Sequence, residues 1–232
     1  MKNAILILIL LVILFSGCNP ATRGWEYYTS SVVLIENDGR HAGSGFVVAS
    51  DLIITARHVV NRGGNHAILF EDGTRCDVQA IRISKISECA VLLVHKTGLR
   101  PLRLYTKVQL GESVTVIGSP LRRKYFNHIT RGIVSKLDVQ ENWSGSNPAF
   151  MVDAAINGGN SGGPVLNGRG KVIGIVVSSY LRNNEISFIT PAADLIALLE
   201  EWKNEGANWD ERFKKAEEES AEEYEASVGN SR

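Results

Sequence analysis

The chain has 232 residues, 44% hydrophobic and 22% charged, with 25 basic and 25 acidic side chains. That is ordinary globular composition, long enough for one large domain or two small ones around a sizeable core. A formal net charge of zero removes the electrostatic basis for nucleic acid as a partner, and 22 glycines with six prolines point to many tight turns between short strands.

The N-terminus carries Lys2 and then an unbroken apolar run over residues 4–15. This run is shorter than the roughly 20 residues a membrane span needs, and it fits a signal-peptide core. It closes on Phe15-Ser16-Gly17-Cys18, which resembles the bacterial lipobox, where small residues precede a cysteine that is lipidated and becomes the mature N-terminus. The expectation is a lipoprotein-type signal peptide over 1–17, a lipid on Cys18 and a short tether over 18–27. The remainder of the chain then lies in the cell envelope, facing away from the cytoplasm and held to the membrane by lipid.

Apolar runs of strand length follow, each bounded by Gly, Asp, Asn or Arg-Gly turns. The first set covers 31–36, 44–49, 52–55, 67–70, 75–83 and 88–94. A polar connection with Pro101 follows, and the second set covers 113–118, 129–137, 149–154, 164–167, 171–178 and 186–190. No strand alternates with a helical stretch, so parallel βαβ units are excluded. The pattern predicts an all-β protein of two six-stranded antiparallel barrels packed side by side, at about 28–95 and 111–190 within a domain spanning 28–202.

A closing helix is predicted over 191–203, with Thr190 as cap, Pro191 at the first helical position and Asp194 in the positive first turn. Leu195, Leu198, Leu199 and Trp202 form one apolar face, expected to lie on the second barrel. Residues 204–232 turn to Glu, Lys and Ala and read as a charged, partly helical or disordered tail.

Apart from Cys18, the cysteines are Cys76 and Cys89. In a hairpin turning near Lys85 and Ile86 they fall roughly 20 Å apart at strand rise, beyond bridging distance, so both are expected as packed thiols.

The most informative segment is Asp153-Ala-Ala-Ile-Asn157-Gly-Gly159-Asn-Ser161-Gly-Gly-Pro164. A hydroxyl nucleophile in acyl transfer needs backbone N–H donors aimed at the developing oxyanion. Glycines around Ser161 allow the tight turn that presents them, with Gly159 and Ser161 as the two donors; Asn157 and Asn160 shape that loop or serve as ordinary turn residues. The same residues fit G-x-S-x-G, the nucleophile elbow of α/β-hydrolases. That elbow joins strand to helix and its histidine follows the serine. Here the histidines stand at 41, 58, 66, 95 and 128, all before Ser161, and Pro164 leads into a strand, so that reading fails. His58 ends a strand in Leu52-Ile-Ile-Thr55-Ala-Arg57-His58-Val-Val60, and the order His, acid, Ser is that of the chymotrypsin-type triad. His41, His66 and His128 read as solvated turn residues, and His95 as a hydrogen-bonded structural imidazole.

Taken together, Thr55–Val60, Asp72-Gly73 through Ala90, Gly118-Ser-Pro120, Arg131-Gly-Ile-Val-Ser135 and Asp153–Pro164 resemble the trypsin-like serine proteases, closest to the bacterial HtrA type. The resemblance runs from about residue 30 to 200 with the segments in the right order. It implies an active site in the cleft between the two barrels. The family's catalytic acid follows the Asp-Gly turn at a fixed distance, and a gapless count lands on Glu88, where the family has aspartate. Glutamate carries the same charge on one more methylene. No PDZ module is recognisable after the closing helix, so the peptide-triggered activation and large assemblies of HtrA proteins are not carried over.

The resemblance implies a serine endopeptidase acting on protein or peptide substrates, with His58 as base, Glu88 supporting the imidazolium and the Gly159 and Ser161 N–H groups holding the oxyanion. No metal or cofactor motif is present, so none is expected. The specificity pocket is expected near 154–156 and 176–179, where nothing acidic stands, favouring a small or apolar residue before the scissile bond. The alternative is a pseudoprotease, the same barrels kept as a protein-binding module because the acid is altered. A third reading makes the acidic tail the part that docks a partner.

Overall fold

The structure, a computed structural model, describes residues 24–119, 126–142, 144–179 and 187–205. The expected signal peptide, Cys18, most of the tether and the charged tail lie outside the described residues. After a single helical turn α1 (Glu26–Thr29), the first barrel comprises β1 (Val32–Asn37), β2 (Arg40–Ala49), β3 (Leu52–Thr55), β4 (His66–Leu69), β5 (Arg75–Ile83) and β6 (Ala90–Val94). Between β3 and β4 lies a second short helix, α2 (Arg57–Val60). The second barrel comprises β7 (Ser113–Gly118), β8 (His128–Val139), β9 (Ala149–Val152), β10 (Pro164–Asn167), β11 (Val172–Ser179) and β12 (Ser187–Pro191), followed by α3 (Ala192–Glu205).

Both sheets close. The strand order is β1-β2-β3-β6-β5-β4 in the first and β7-β8-β9-β12-β11-β10 in the second, the same wiring used twice. All pairings within the barrels are antiparallel. Closure removes the open edges that exposed strands present to other chains. Two six-stranded barrels are thus the observed architecture, as the strand count predicted.

Side chains on both faces of the first barrel's strands, among them Val33, Ile35, Phe46, Ile53 and Leu92, are fully buried. Their cluster continues without a break into Ile117, Leu166, Val172 and Ile175 of the second barrel, so the barrels share one apolar interface. A separate cluster with Val116, Phe150, Val165, Ile173 and Ile189 fills the second barrel. Each such side chain contributes about 1.5–3 kcal/mol through removal from water. The connector is tied to both halves: Leu102 N–H donates to Val47 O at 2.8 Å, and Tyr105 N–H to Val172 O at 2.8 Å.

Four expectations need correction. The hydroxyl of Thr190 is buried without a hydrogen-bond partner among the described residues, so it does not cap α3; the chain stays paired in β12 through Pro191 and the helix begins at Ala192. Leu195, Leu198 and Trp202 do not lie on the second barrel alone; they join the cluster that contains Cys89, Val91 and Val94 of the first. His66 is no solvated turn residue, because β1 and β5 flank it in the barrel wall and it is 7% exposed. His41 likewise sits half-buried in β2.

Candidate active site

His58 is the second residue of α2, a turn that starts where β3 ends and leaves the imidazole 43% exposed at the barrel junction. Its anchors are Val59 and Val60, both buried in the first core. Glu88 stands in the turn before β6, two residues ahead of the strand start rather than on the strand, and is 8% exposed. One oxygen, Oε1, lies 2.8 Å from His58 Nδ1 and also accepts the His58 backbone N–H at 2.8 Å. An ionised carboxylate can only accept, so Nδ1 carries the proton and Nε2 keeps its lone pair. The other oxygen, Oε2, lies 3.8 Å from Nε of Arg57.

Burial by itself pushes the Glu88 carboxyl up. The hydrogen bonds from the His58 ring and backbone, with the charge of Arg57 and that of His58 when it is protonated, outweigh it and hold the group below its ordinary value. The next residue behaves oppositely: burial pushes the Cys89 thiol up to about 12. Cys76 and Cys89 are both free thiols, as the hairpin register required.

The segment before Glu88 is braced from a distance. Ser87 Oγ donates to Asp194 Oδ2 at 2.7 Å, and Asn147 Nδ2 donates to Asp194 Oδ1 at 2.7 Å. Asp194 is 5% exposed, so a buried carboxylate in the first turn of α3 joins the acid's turn to the β8–β9 connection. The sequence showed Asp194 as a helix-start residue; its spatial neighbours were not readable from spacing.

Ser161 lies on the loop before β10, held to β11 by Gly162 N–H to Val176 O at 2.8 Å and Val176 N–H to Gly163 O at 3.0 Å. The same loop is held to the first barrel through Ser44, a fully buried serine in β2. Ser44 N–H donates to Ser161 O at 2.8 Å, and Ser44 Oγ donates to Gly159 O at 2.7 Å while accepting Ser119 N–H at 2.9 Å. Gly162 has φ +82°, and a Cβ there would collide with Ser44 O and Thr55 Oγ1. Thr55 Oγ1 itself donates to Ser44 O at 2.7 Å. These contacts set the Ser161 loop against Thr55 and Ala56, the residues that lead into His58.

Gly159 has φ +102°, a conformation that suits glycine. Around it, Asn160, Gly162 and Gly163 all donate their N–H groups to carbonyls, whereas the N–H groups of Gly159 and Ser161 have no acceptor among the described residues. The Ser161 hydroxyl donates to Val177 O at 3.3 Å. Asn160 is buried against Gly118, and its N–H closes a turn on Asn157 O at 3.1 Å. Ala154, Ile156 and Val176, expected to line a specificity pocket, are buried in the second core. His95 meets Gln79 Nε2 at 3.0 Å and so is the hydrogen-bonded imidazole expected of it. No group of three metal-ligating side chains occurs among the described residues.

Two positions escaped the sequence reading. Ser44 sits in Gly43-Ser44-Gly45, and its signal was a small polar residue between glycines on an otherwise apolar strand. Arg57 was quoted within the His58 motif but given no part of its own.

Comparison with known proteins bears on the fold and the family. A probable periplasmic serine endoprotease, DegP-like, of Ectopseudomonas mendocina is 32% identical over 178 residues, 74% of this chain and 37% of that protein. The serine protease Do-like HtrA of Bacillus subtilis is 32% identical over 179 residues, 71% of this chain and 40% of that protein. The chain thus spans less than half the length of these curated relatives. Among solved structures, a serine endoprotease from Yersinia pestis superposes with TM-score 0.65 at 25% identity, covering 78% of this chain and 67% of that one. The HtrA-type protease AlgW with a decapeptide gives 0.66 at 20% identity, covering 78% and 67%. The model of the trypsin-like peptidase domain matches residues 43–175, more than half of the sequence, and the chain belongs to that family.

Proposed function

We propose that the chain is a serine endopeptidase that hydrolyses peptide bonds of protein substrates, with Ser161 as nucleophile, His58 as base and Glu88 in place of the family's aspartate. The observation that carries this reading is the 2.8 Å contact of Glu88 Oε1 with His58 Nδ1, which leaves Nε2 free to take a proton. Ser161 attacks the scissile carbonyl as His58 removes its proton. The carbonyl oxygen, now negative, is received by the N–H groups of Gly159 and Ser161, the donors that have no acceptor of their own among the described residues. Glu88 stabilises the imidazolium, which then protonates the leaving amine, and water hydrolyses the acyl-enzyme by the same steps in reverse. To begin, the Ser161 hydroxyl, which donates to Val177 O at 3.3 Å, must turn from that carbonyl toward His58. A small or apolar residue before the scissile bond remains the expected preference.

That same Ser161–Val177 contact is the observation on the side of an idle, protein-binding barrel pair. A fluorophosphonate probe decides between them. Labelling of Ser161 in the folded protein, absent in Ser161→Ala, is the expected result; no labelling of folded protein overturns the endopeptidase reading.

The molecule acts from the cell envelope, attached by lipid on Cys18 after removal of residues 1–17. The apolar run ending in Cys18 supports this, and no helix among the described residues is long and apolar enough to cross a membrane. One acyl chain gives marginal binding and two or more give stable attachment. Mass spectrometry of the native N-terminus is expected to show a lipidated Cys18; an unmodified Cys18 in soluble protein overturns it.

A further inference from the structure

Beside His58 the first barrel opens into a cleft of about 520 Å³, lined entirely by first-barrel residues. Its walls are the β1–β2 turn with Arg40 and the loop after α2 with Arg62, and His58 and Val59 form its inner end. The two walls are fastened to each other. Asn37 Nδ2 donates to Gly63 O at 2.7 Å, Asp38 N–H donates to Asn65 O at 2.9 Å, and Asp38 Oδ1 accepts Asn65 N–H at 2.9 Å. The single carboxylate of the cleft, that of Asp38, is therefore turned into the loop backbone. Arg40 and Arg62 are exposed, and neither has an ion-pair partner among the described residues.

Position gives these cations their meaning. The cleft is lined along β2 by Arg40, His41 and Ala42, and on the next residue, Gly43, a Cβ would stand 2.9 Å from Ser161 O. The group that protonates the leaving amine is His58, so the half of the substrate that departs must lie on the imidazole's side of Ser161. Resting on the reading of His58 as that proton donor, we propose that Arg40 and Arg62 select substrates with acidic side chains in the first positions after the scissile bond. Two fixed cations without protein partners attract carboxylates and repel Lys or Arg, and repulsion sharpens the choice as much as attraction.

The test uses internally quenched peptides built on the fastest-cut bond of β-casein, identical except for Glu, Gln or Lys at the second position after that bond. The parent protein is expected to favour Glu over Lys in kcat/KM by about five- to tenfold, the scale of two exposed charge pairs. The preference shrinks as salt is raised. In the Arg40→Gln, Arg62→Gln double variant it falls to parity, with the circular dichroism spectrum of the parent retained. Arg40→Lys with Arg62→Lys keeps the preference, which separates lost charge from lost folding. A parallel measurement follows anisotropy of fluorescein-labelled hexapeptides, with free N-termini, beginning Ala-Glu-Glu or Ala-Lys-Lys, on Ser161→Ala protein. Tighter binding of the Glu peptide, lost in the double Gln variant, supports the cleft assignment even if the parent cuts no peptide; in that case the catalytic reading has failed and the cleft has not. Equal handling of Glu and Lys, or a Glu preference that survives removal of both charges, overturns it.

Discussion

A single oxygen of Glu88 accepts both the ring Nδ1 and the backbone N–H of His58, each at 2.8 Å. From a turn ahead of β6, this one oxygen reaches both donors. The acid thereby fixes the imidazole's tautomer and also the turn that carries it. Glu88→Gln presents an amide that can donate as well as accept, so the tautomer is no longer enforced. Loss of a triad acid costs on the order of 10⁴ in turnover in well-studied proteases. A drop of several orders of magnitude in kcat is expected for Glu88→Gln. Glu88→Asp keeps the charge but shortens the reach by about 1.5 Å, one carbon–carbon bond, and should fall between the two. Peptide hydrolysis by Glu88→Gln at the parent's rate would sink the role assigned to this residue.

The second oxygen of Glu88 faces the guanidinium of Arg57 at 3.8 Å. Arg57 is 37% exposed, so solvent screens the pair and its contribution to overall stability is small. Its contribution to orientation is larger, since it opposes rotation of the carboxylate away from the ring. Arg57→Gln is expected to lower kcat about three- to tenfold with KM unchanged, and Arg57→Lys to restore most of the loss. A double-mutant cycle supplies the check. In the Glu88→Asp background, where the shorter side chain no longer reaches Arg57, the Arg57 substitution should have no further effect, whereas additive losses would place Arg57 elsewhere in the mechanism.

Acid stability tests the same cluster by another route. The Glu88 carboxyl is held below its ordinary 4.5 in the folded protein, so the folded state binds its proton less readily than the unfolded chain. By linkage, the stabilisation is complete above about 4.5 and is lost as pH falls through the lower folded value. The difference in Tm between the parent and Glu88→Gln, followed from pH 5 to pH 3, should shrink toward the acid end. A difference that grows on acidification would show the opposite shift.

The barrels were legible because each strand is a short, β-branched apolar run closed by Gly or Asp turns, as in Leu52-Ile-Ile-Thr55. The Ser161 loop was legible because its glycines have a steric reason to be there. What stayed hidden depends on neighbours remote in sequence. His66 follows Gly-Gly-Asn and looks like a turn, yet it opens β4, which pairs with β1 on one side and β5 on the other, and is buried there. Asp194 and Ser87 are 107 residues apart, and no periodicity links them. The four-residue helices α1 and α2 are too short to show a helical repeat at all.

The two barrel cysteines should differ sharply in reactivity. Cys89 is fully buried and its thiol is raised to about 12, so no appreciable thiolate forms at neutral pH. Cys76 lies half-buried on β5. Iodoacetamide at pH 8, followed by peptide mapping, is expected to modify Cys76 in the native protein and Cys89 after unfolding. Native labelling of Cys89 at a comparable rate would show that the α3 face does not seal the core beneath Glu88.

Ser44, on the first barrel, is hydrogen-bonded to the Ser161 loop of the second. Its hydroxyl donates to Gly159 O at 2.7 Å in a part-buried bond and receives the buried Ser119 N–H at 2.9 Å. The first bond holds the Gly159 carbonyl toward the first barrel, which keeps the orientation of the loop peptides fixed on both sides of that glycine. Gly159 has φ +102°, where glycine has wide freedom, so the hydrogen bond rather than local sterics selects the conformation. Ser44→Ala removes one hydroxyl and takes the partner from the buried Ser119 N–H and from the part-buried Gly159 carbonyl. A stability loss of about 1–3 kcal/mol is expected from denaturant unfolding. Activity should fall further than this loss explains, by about tenfold to a thousandfold in kcat, the range for weakening one oxyanion donor. Fluorophosphonate labelling of the folded variant should slow in parallel, since that reaction also develops charge at the same N–H groups. Ser44→Cys and Ser44→Thr distinguish the two consequences. Threonine keeps the hydroxyl but adds a methyl to a strand packed between Gly43 and Gly45, so it should cost stability more than chemistry per folded molecule. Cysteine keeps the volume with a weaker donor and should do the reverse. If Ser44→Ala loses stability but labels and cleaves at the parent's rate once folded, the serine is a structural tie between barrels and the Gly159 peptide is oriented by its own loop.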